Sequence, residues 1–110
     1  MEINIKTVDD TKVAVLKGDI DASTAPSVTQ EVLPLVEPGK RIILDMTEVP
    51  FMSSAGLRVL LSLYRQASVK EAKILLVGLN EELQDTMSVT GFLEHFQISN
   101  TLDEALAAKV

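Results

Sequence analysis

A chain of 110 residues, 46% of them hydrophobic, is sized for one domain over residues 1–110; at this length roughly 60–70% of the unfolded surface can be buried, enough for a core without staples. The absence of cysteine excludes a disulfide framework, a thiolate zinc site and a cysteine nucleophile. Sixteen acidic residues against ten basic ones give a net charge of −6, the basic residues lie singly apart from Lys40-Arg41, and the aromatics are only Phe51, Tyr64, Phe92 and Phe96, so nucleic acid is excluded as a partner on both charge and stacking grounds.

Glu2-Ile3-Asn4-Ile5-Lys6 alternates with period two, as a half-buried strand does. Asp9-Asp10 supplies turn chemistry, and Lys12 to Lys17 is a second strand, so the pair reads as a hairpin ended by Gly18. The loop from Gly18 leads into a helix capped by Ser23 or Thr24, with Pro26 in its first turn. Val28, Val32, Leu35 and Val36 fall on one face, and Pro34 ends or kinks the helix. Arg41-Ile42-Ile43-Leu44-Asp45 is short, apolar and β-branched, which predicts a buried central strand. After a turn, Leu57, Leu60, Leu61, Tyr64 and Ala67 form a helical stripe to about Ser68. Lys73 to Gly78 is another buried strand. Asn80 caps a shorter helix through about Ser88, with Leu83 and Met87 inward, and Gly91 breaks it. Phe96-Gln97-Ile98 suggests a short last strand, and Leu102 to Ala108 a final helix capped by Asn100 or Thr101. Strands alternating with helices predict an α/β fold: one mixed sheet with an antiparallel amino-terminal hairpin at its edge, a parallel centre and about four helices.

The segment richest in chemistry is Val49 to Leu61. Ser53 and Ser54 stand where an amphipathic helix begins. A hydroxyl there can cap free backbone N–H groups, and the same place favours a phosphate. From the residues alone, capping and phosphorylation both stand. Asp21 is a turn residue or part of a partner surface, Asp19 a solvated one, and Asp45 a structural strand end. Met52 and Met87 read as core. His95, the single histidine, is a surface residue; with Ser54 it would be the one candidate hydrolase pair. The turn is Met-Ser-Ser-Ala-Gly and not Gly-x-Ser-x-Gly, and there is no P-loop or Gly-x-Gly-x-x-Gly, so the chain reads as no enzyme. Neither a cofactor nor a metal is expected.

Three segments resemble the STAS domain, and specifically the stand-alone anti-sigma-factor antagonists of bacteria. Gly18-Asp19-Ile20-Asp21 through Thr24-Ala25 is similar to the family's loop after the second strand. Ile42-Ile43-Leu44-Asp45 with Val49 and Phe51-Met52 is similar to its third strand and approach, and Ser53-Ser54-Ala55-Gly56-Leu57 to its phosphoacceptor turn. The best-studied members carry Asp-Ser-Ser/Thr-Gly-Leu at that turn. Aligning on Gly56-Leu57 puts Ser54 on the phosphorylated serine, with Ser53 in place of the aspartate as the alternative acceptor and Ala55 in place of the second hydroxyl.

The resemblance implies a partner switch. The unmodified protein binds an anti-sigma factor that is a serine kinase of the GHKL type and releases the sigma factor. Phosphorylation of Ser54 breaks that complex, and a metal-dependent serine phosphatase resets it. The implied partner surface combines Asp21, Ser23, Thr24, Met52, Ser53, Ser54, Gly56 and Arg58. Arg58, four residues after Ser54, pairs with a Ser54 phosphate, meets acidic groups on the partner in the unmodified protein, or is simply solvated. The alternative function is a constitutive adaptor subunit of a larger assembly. The first twenty residues lack a basic start and an apolar stretch, and no apolar run reaches the roughly 18 residues of a spanning helix, so a cytoplasmic location away from the membrane is expected.

Overall fold

The computed structural model describes residues 1–107. The period-two run forms β1, Glu2–Val8, which pairs antiparallel with β2, Thr11–Lys17. Asp9 and Asp10 join them with φ of 48° and 68°. Two left-handed residues between two strands match the twist of a hairpin, and aspartate tolerates that conformation. The chain then alternates: α1 Ala25–Val32, β3 Arg41–Glu48, α2 Ser54–Val69, β4 Lys73–Val77, α3 Glu81–Val89, β5 Gln97–Ser99 and α4 Leu102–Ala107. The sheet order is β1-β2-β3-β4-β5, with every pair after the hairpin parallel. The mixed sheet expected from the pattern is present.

The end of the first helix at Pro34 is as expected, the chain passing into a single 3-10 turn over Leu33–Leu35 because a proline ring obstructs a further α turn. Several other boundaries differ from the sequence reading, each for a physical reason. β3 runs on past Asp45 to Glu48 after a register shift against β2, between Val15 and Lys17. The buried stripe of α2 is Gly56, Leu57, Leu60, Leu63 and Ala67; Leu61 and Tyr64, which the pattern put inside, are only half-buried. Spacings of four, three and four from Gly56 to Ala67 hold one helical face, and glycine belongs to it because it lies against Ile20 and Met52. The last strand starts one residue late, leaving Phe96 as a buried residue before it. Ala108, the expected end of the last helix, lies outside the described residues.

Alternation along the strands sends side chains to two faces of unequal cover. Ala14, Leu16, Ile42, Leu44, Met46, Ile74 and Leu76 meet Val28, Val32, Leu57, Leu60, Leu63, Leu83 and Met87 of the first three helices in one large core. On the other face Val13, Ile43, Leu75 and Val77 are met by Ala105 of α4. Arg41 holds that short helix down. Its guanidinium donates to the carbonyls of Ala105 at 3.0 Å and Leu106 at 2.9 Å, which lie at the electronegative end of α4. At the opposite end, Thr101 Oγ1 accepts from the Glu104 N–H at 3.2 Å, so Thr101 is the cap, and Glu104 reaches back to the Asn100 N–H.

Arg41→Met keeps the apolar stem but removes the charged donors. It is expected to cost about 1.5–3 kcal/mol, the range for hydrogen bonds to charged groups. Hydrogen exchange should then show α4 amides opening before those of β3; equal protection of both elements would contradict the tether.

Candidate functional site at the carboxyl edge of the sheet

The loops after β2, β3 and β4 all leave the carboxyl edge of the parallel strands, where open α/β sheets bind ligands. Beyond the strands, Ile20 and Met52 form one further parallel bridge. The Ile20 N–H donates to Phe51 O at 3.0 Å, and the Ser53 N–H donates to Ile20 O at 2.9 Å. Two stretches far apart in sequence, 18–24 and 49–54, are thereby fixed side by side.

Gly56 sits directly over this bridge. A Cβ there would meet Met52 Cγ and lie 2.8 Å from Ile20 O, so only glycine lets α2 start this close to both loops. Met52 is buried, as the sequence reading expected. Met52 and Gly56 therefore act on the surface from beneath it; their side-chain positions do not face solvent.

The first loop is built by its own short side chains. Asp21 Oδ1 accepts from the Ser23 hydroxyl at 2.7 Å, the Ser23 N–H at 2.9 Å and the Thr24 N–H at 3.2 Å. Thr24 Oγ1 accepts in return from the Asp21 N–H at 2.9 Å and contacts Asp19 O at 2.9 Å. This reciprocal pair has the bonding pattern of a capping box and closes the turn immediately ahead of α1. Thr24, one of the two expected caps, is the N-cap of α1 by backbone position, though its side chain makes no cap bond to the helix. The Ser23 hydroxyl and then the Thr24 N–H hold the Asp21 carboxyl below the usual carboxylate range, since both stabilise its ionised form. Asp19 is exposed and Asp45 is structural, accepting from the Thr47 N–H at 3.0 Å.

The second loop leads into α2. Ser53 is its N-cap by backbone position, with φ −81° and ψ 178°, but its side chain makes no cap bond. Its hydroxyl oxygen is buried and without a partner among the described residues. Ser54 is the first helical residue and is exposed. The free N–H groups of this first turn are thus left uncapped by protein, in contrast to α3, where Asn80 accepts from the Leu83 N–H at 2.8 Å. Asn80 also has a second task that its sequence position did not reveal. Its Nδ2 donates to Pro50 O at 3.2 Å and ties the third loop to the second. Gly78 permits this approach, with φ of 72° and a Cβ position 3.0 Å from Thr47 Cα. Phe51, beside the serines, stays half exposed at 50%.

Arg58 is exposed on α2 and lines a groove of about 450 Å³ between α1 and α2, together with Ala25, Ala55, Val59 and Ser62. His95 lies against Tyr64, with ring centroids 4.8 Å apart and ring planes tilted by 34°. Tyr64 lies ten residues down α2 from Ser54, about 15 Å along the axis. The structure therefore does not bring Ser54 and His95 together. Among the described residues no group of three or more metal-ligating side chains forms a metal site.

The sequence pattern of the STAS domain matches residues 2–105. This chain belongs to the STAS domain family. The STAS domain described here is 32% identical over 107 residues to the anti-sigma-B factor antagonist of Listeria monocytogenes, covering 94% of this chain and 93% of that one. It is 27% identical over 84 residues to the anti-sigma-B factor antagonist of Bacillus subtilis, covering 76% and 77%. It is also similar to the crystal structure of an anti-sigma factor antagonist from Mycobacterium paratuberculosis, with a TM-score of 0.84 and 26% identity over 96% of this chain and 90% of that one.

Two predictions test the geometry of the STAS site. Gly56→Ala should destabilise by about 1–3 kcal/mol, as overpacking does, and shift the amide resonances of Ile20 and Ser53. For Asp21 the folded-state pKa is depressed, so its stabilising effect is present above the unfolded pKa and fades as pH falls through the folded one. Urea titrations of wild type and Asp21→Asn should differ at pH 7 and converge below about pH 4; a gap that is constant with pH would show that the carboxylate's bonds to Ser23 and Thr24 do not stabilise the loop.

Proposed function

We propose that this protein is an anti-sigma-factor antagonist controlled by phosphorylation of Ser54. In this reading the unmodified form binds an anti-sigma factor that is also a GHKL-type serine kinase, and the sigma factor is released. The kinase moves the γ-phosphoryl group of ATP onto Ser54 Oγ, the hydroxyl proton leaves, and ADP remains. The phosphoprotein dissociates, and a metal-dependent serine phosphatase restores it by hydrolysis. The chain is the substrate in both steps and supplies no catalytic group. Its setting in this reading is the cytoplasm; among the described residues no helix is long and apolar enough to cross a membrane.

The observation that carries the proposal is the placement of the two serines. Ser54 is exposed at the first position of α2, above a turn whose N–H groups have no protein cap, while the Ser53 hydroxyl is buried. A kinase can reach the first and not the second without opening the turn. The relatives named as anti-sigma-B factor antagonists support the partner class. Phosphate adds about −1.5 to −2 charge. At a helix start the fold tolerates this, because free N–H groups and the dipole favour an anion. Across an interface the same charge brings desolvation and repulsion; about 3 kcal/mol is more than a hundredfold in affinity. Binding can thus switch while the fold stays intact. The bridged loop of Asp21, Ser23 and Thr24, the turn at Phe51 and the exposed start of α2 together form the surface that the kinase would cover.

The test is to express the GHKL-type serine kinases of the source organism singly, measure binding, add ATP and locate phosphate by mass spectrometry. Phosphate at Ser54, its loss in Ser54→Ala with binding kept, and weaker binding of Ser54→Asp are the expected results. Phosphate at Ser53 alone would overturn the site, and stable binding with no phosphate would favour a constitutive adaptor.

A further inference from the structure

Ser54 and Arg58 are both exposed and stand four residues apart on α2, so their side chains are neighbours on one helix face. Arg58 makes no ion pair or hydrogen bond among the described residues. Other cations are engaged: Lys17 with Glu2 and Glu48, Lys40 with Asp10 and Glu37, and Arg41 with the carbonyls of α4. The sixteen residues of α2 include Arg58 and Arg65 and no carboxylate, in a chain whose net charge is −6. Arg65 is also exposed, and seven residues return a helix to nearly the same face. The net charge of −6 repels another copy of this chain, while the basic stripe attracts an acidic segment of a partner. Beside the stripe runs the groove between α1 and α2, lined by Ala25, Ala55 and Val59 as well as by Arg58. Small apolar walls next to a free guanidinium suit a segment that carries both apolar and carboxylate side chains.

We propose that Arg58 is shared between two anions: in the unmodified protein it pairs with a carboxylate of an acidic, partly apolar segment of the anti-sigma factor seated in the α1–α2 groove, and in the phosphoprotein it turns back one helical turn to the Ser54 phosphate. This rests on the partner switch proposed above and adds a mechanism to it. Phosphorylation then acts twice. It places a repelling charge at the interface, and it withdraws the cation that the partner's carboxylate requires. A guanidinium engaged in a bidentate bond to phosphate has its donors committed and its charge compensated, so it cannot serve both anions at full strength.

The phosphate arm needs no kinase. Phosphoserine is installed at position 54 during translation by codon expansion, in the full chain with Arg58 or with Arg58→Ala. A phosphorus NMR titration at low salt should give a second phosphate pKa lower with Arg58 present, by about 0.3 pH unit, the size of an exposed i,i+4 ion pair. The gap should close in high salt. Superimposable curves would overturn the proposal. The partner arm uses the kinase found to bind wild type. Arg58→Ala should weaken binding of the unmodified protein about fivefold and that of the phosphoprotein hardly at all. Equal losses in both forms, or none in either, would overturn the sharing even where phosphorylation itself still releases the partner. If no kinase binds wild type, the partner switch fails and the acidic occupant with it, while the titration still reports on the Ser54–Arg58 pair.

Discussion

The single parallel bridge between Ile20 and Met52 is the constraint on which this surface depends. It lies beyond the ends of β2 and β3, where the chain has already left the regular ladder. Two backbone hydrogen bonds at this point decide where Asp21 stands relative to Ser54. The bridge in turn requires Gly56 above it, since any side chain there would press on both partners. A glycine inside a helix costs about 1 kcal/mol relative to alanine. That cost is offset by the close seating of α2 on the two loops, and the phosphoacceptor candidate gains a fixed position from it.

Much of the fold was legible because its signals are local. The period-two run of β1, the aspartates of the hairpin turn and the apolar block at Ile42-Ile43-Leu44 each specify their element without help from the rest. The capping of α3 by Asn80 and the break at Gly91 were equally plain. The stripe of α2 was less so, since Leu61 and Leu63 are equivalent on a hydropathy scale. Which of them faces inward depends on the orientation that Gly56 imposes, a tertiary effect that no window of sequence contains. The site was legible in its residues but not in their tasks. Asp21 was visible as a turn residue, whereas its reciprocal bond with Thr24 depends on rotamers. Asn80 bonds to Pro50, thirty residues away, and nothing in the spacing announces it.

The two serines show how a helix start can serve two ends. In α3 and α4 a side-chain oxygen accepts from the first turn, and those ends are structurally complete. In α2 the cap residue turns its hydroxyl into the protein and makes no side-chain bond to the turn's donors. The helix tolerates this because its stability comes from the buried stripe against the sheet, with Leu60 and Leu63 almost wholly enclosed. Packing thus frees the terminus from the need to be capped, and an electrostatic role becomes available there.

The reciprocal bonding of Asp21 and Thr24 has a kinetic consequence. A loop that fixes its own shape through Asp21, Ser23 and Thr24 has little left to order when another molecule arrives. The entropy that a flexible loop would lose at the moment of contact has already been lost in folding. Encounter then resembles rigid-body docking, with an association rate governed by diffusion, orientation and charge and with most differences in affinity residing in the lifetime of the complex.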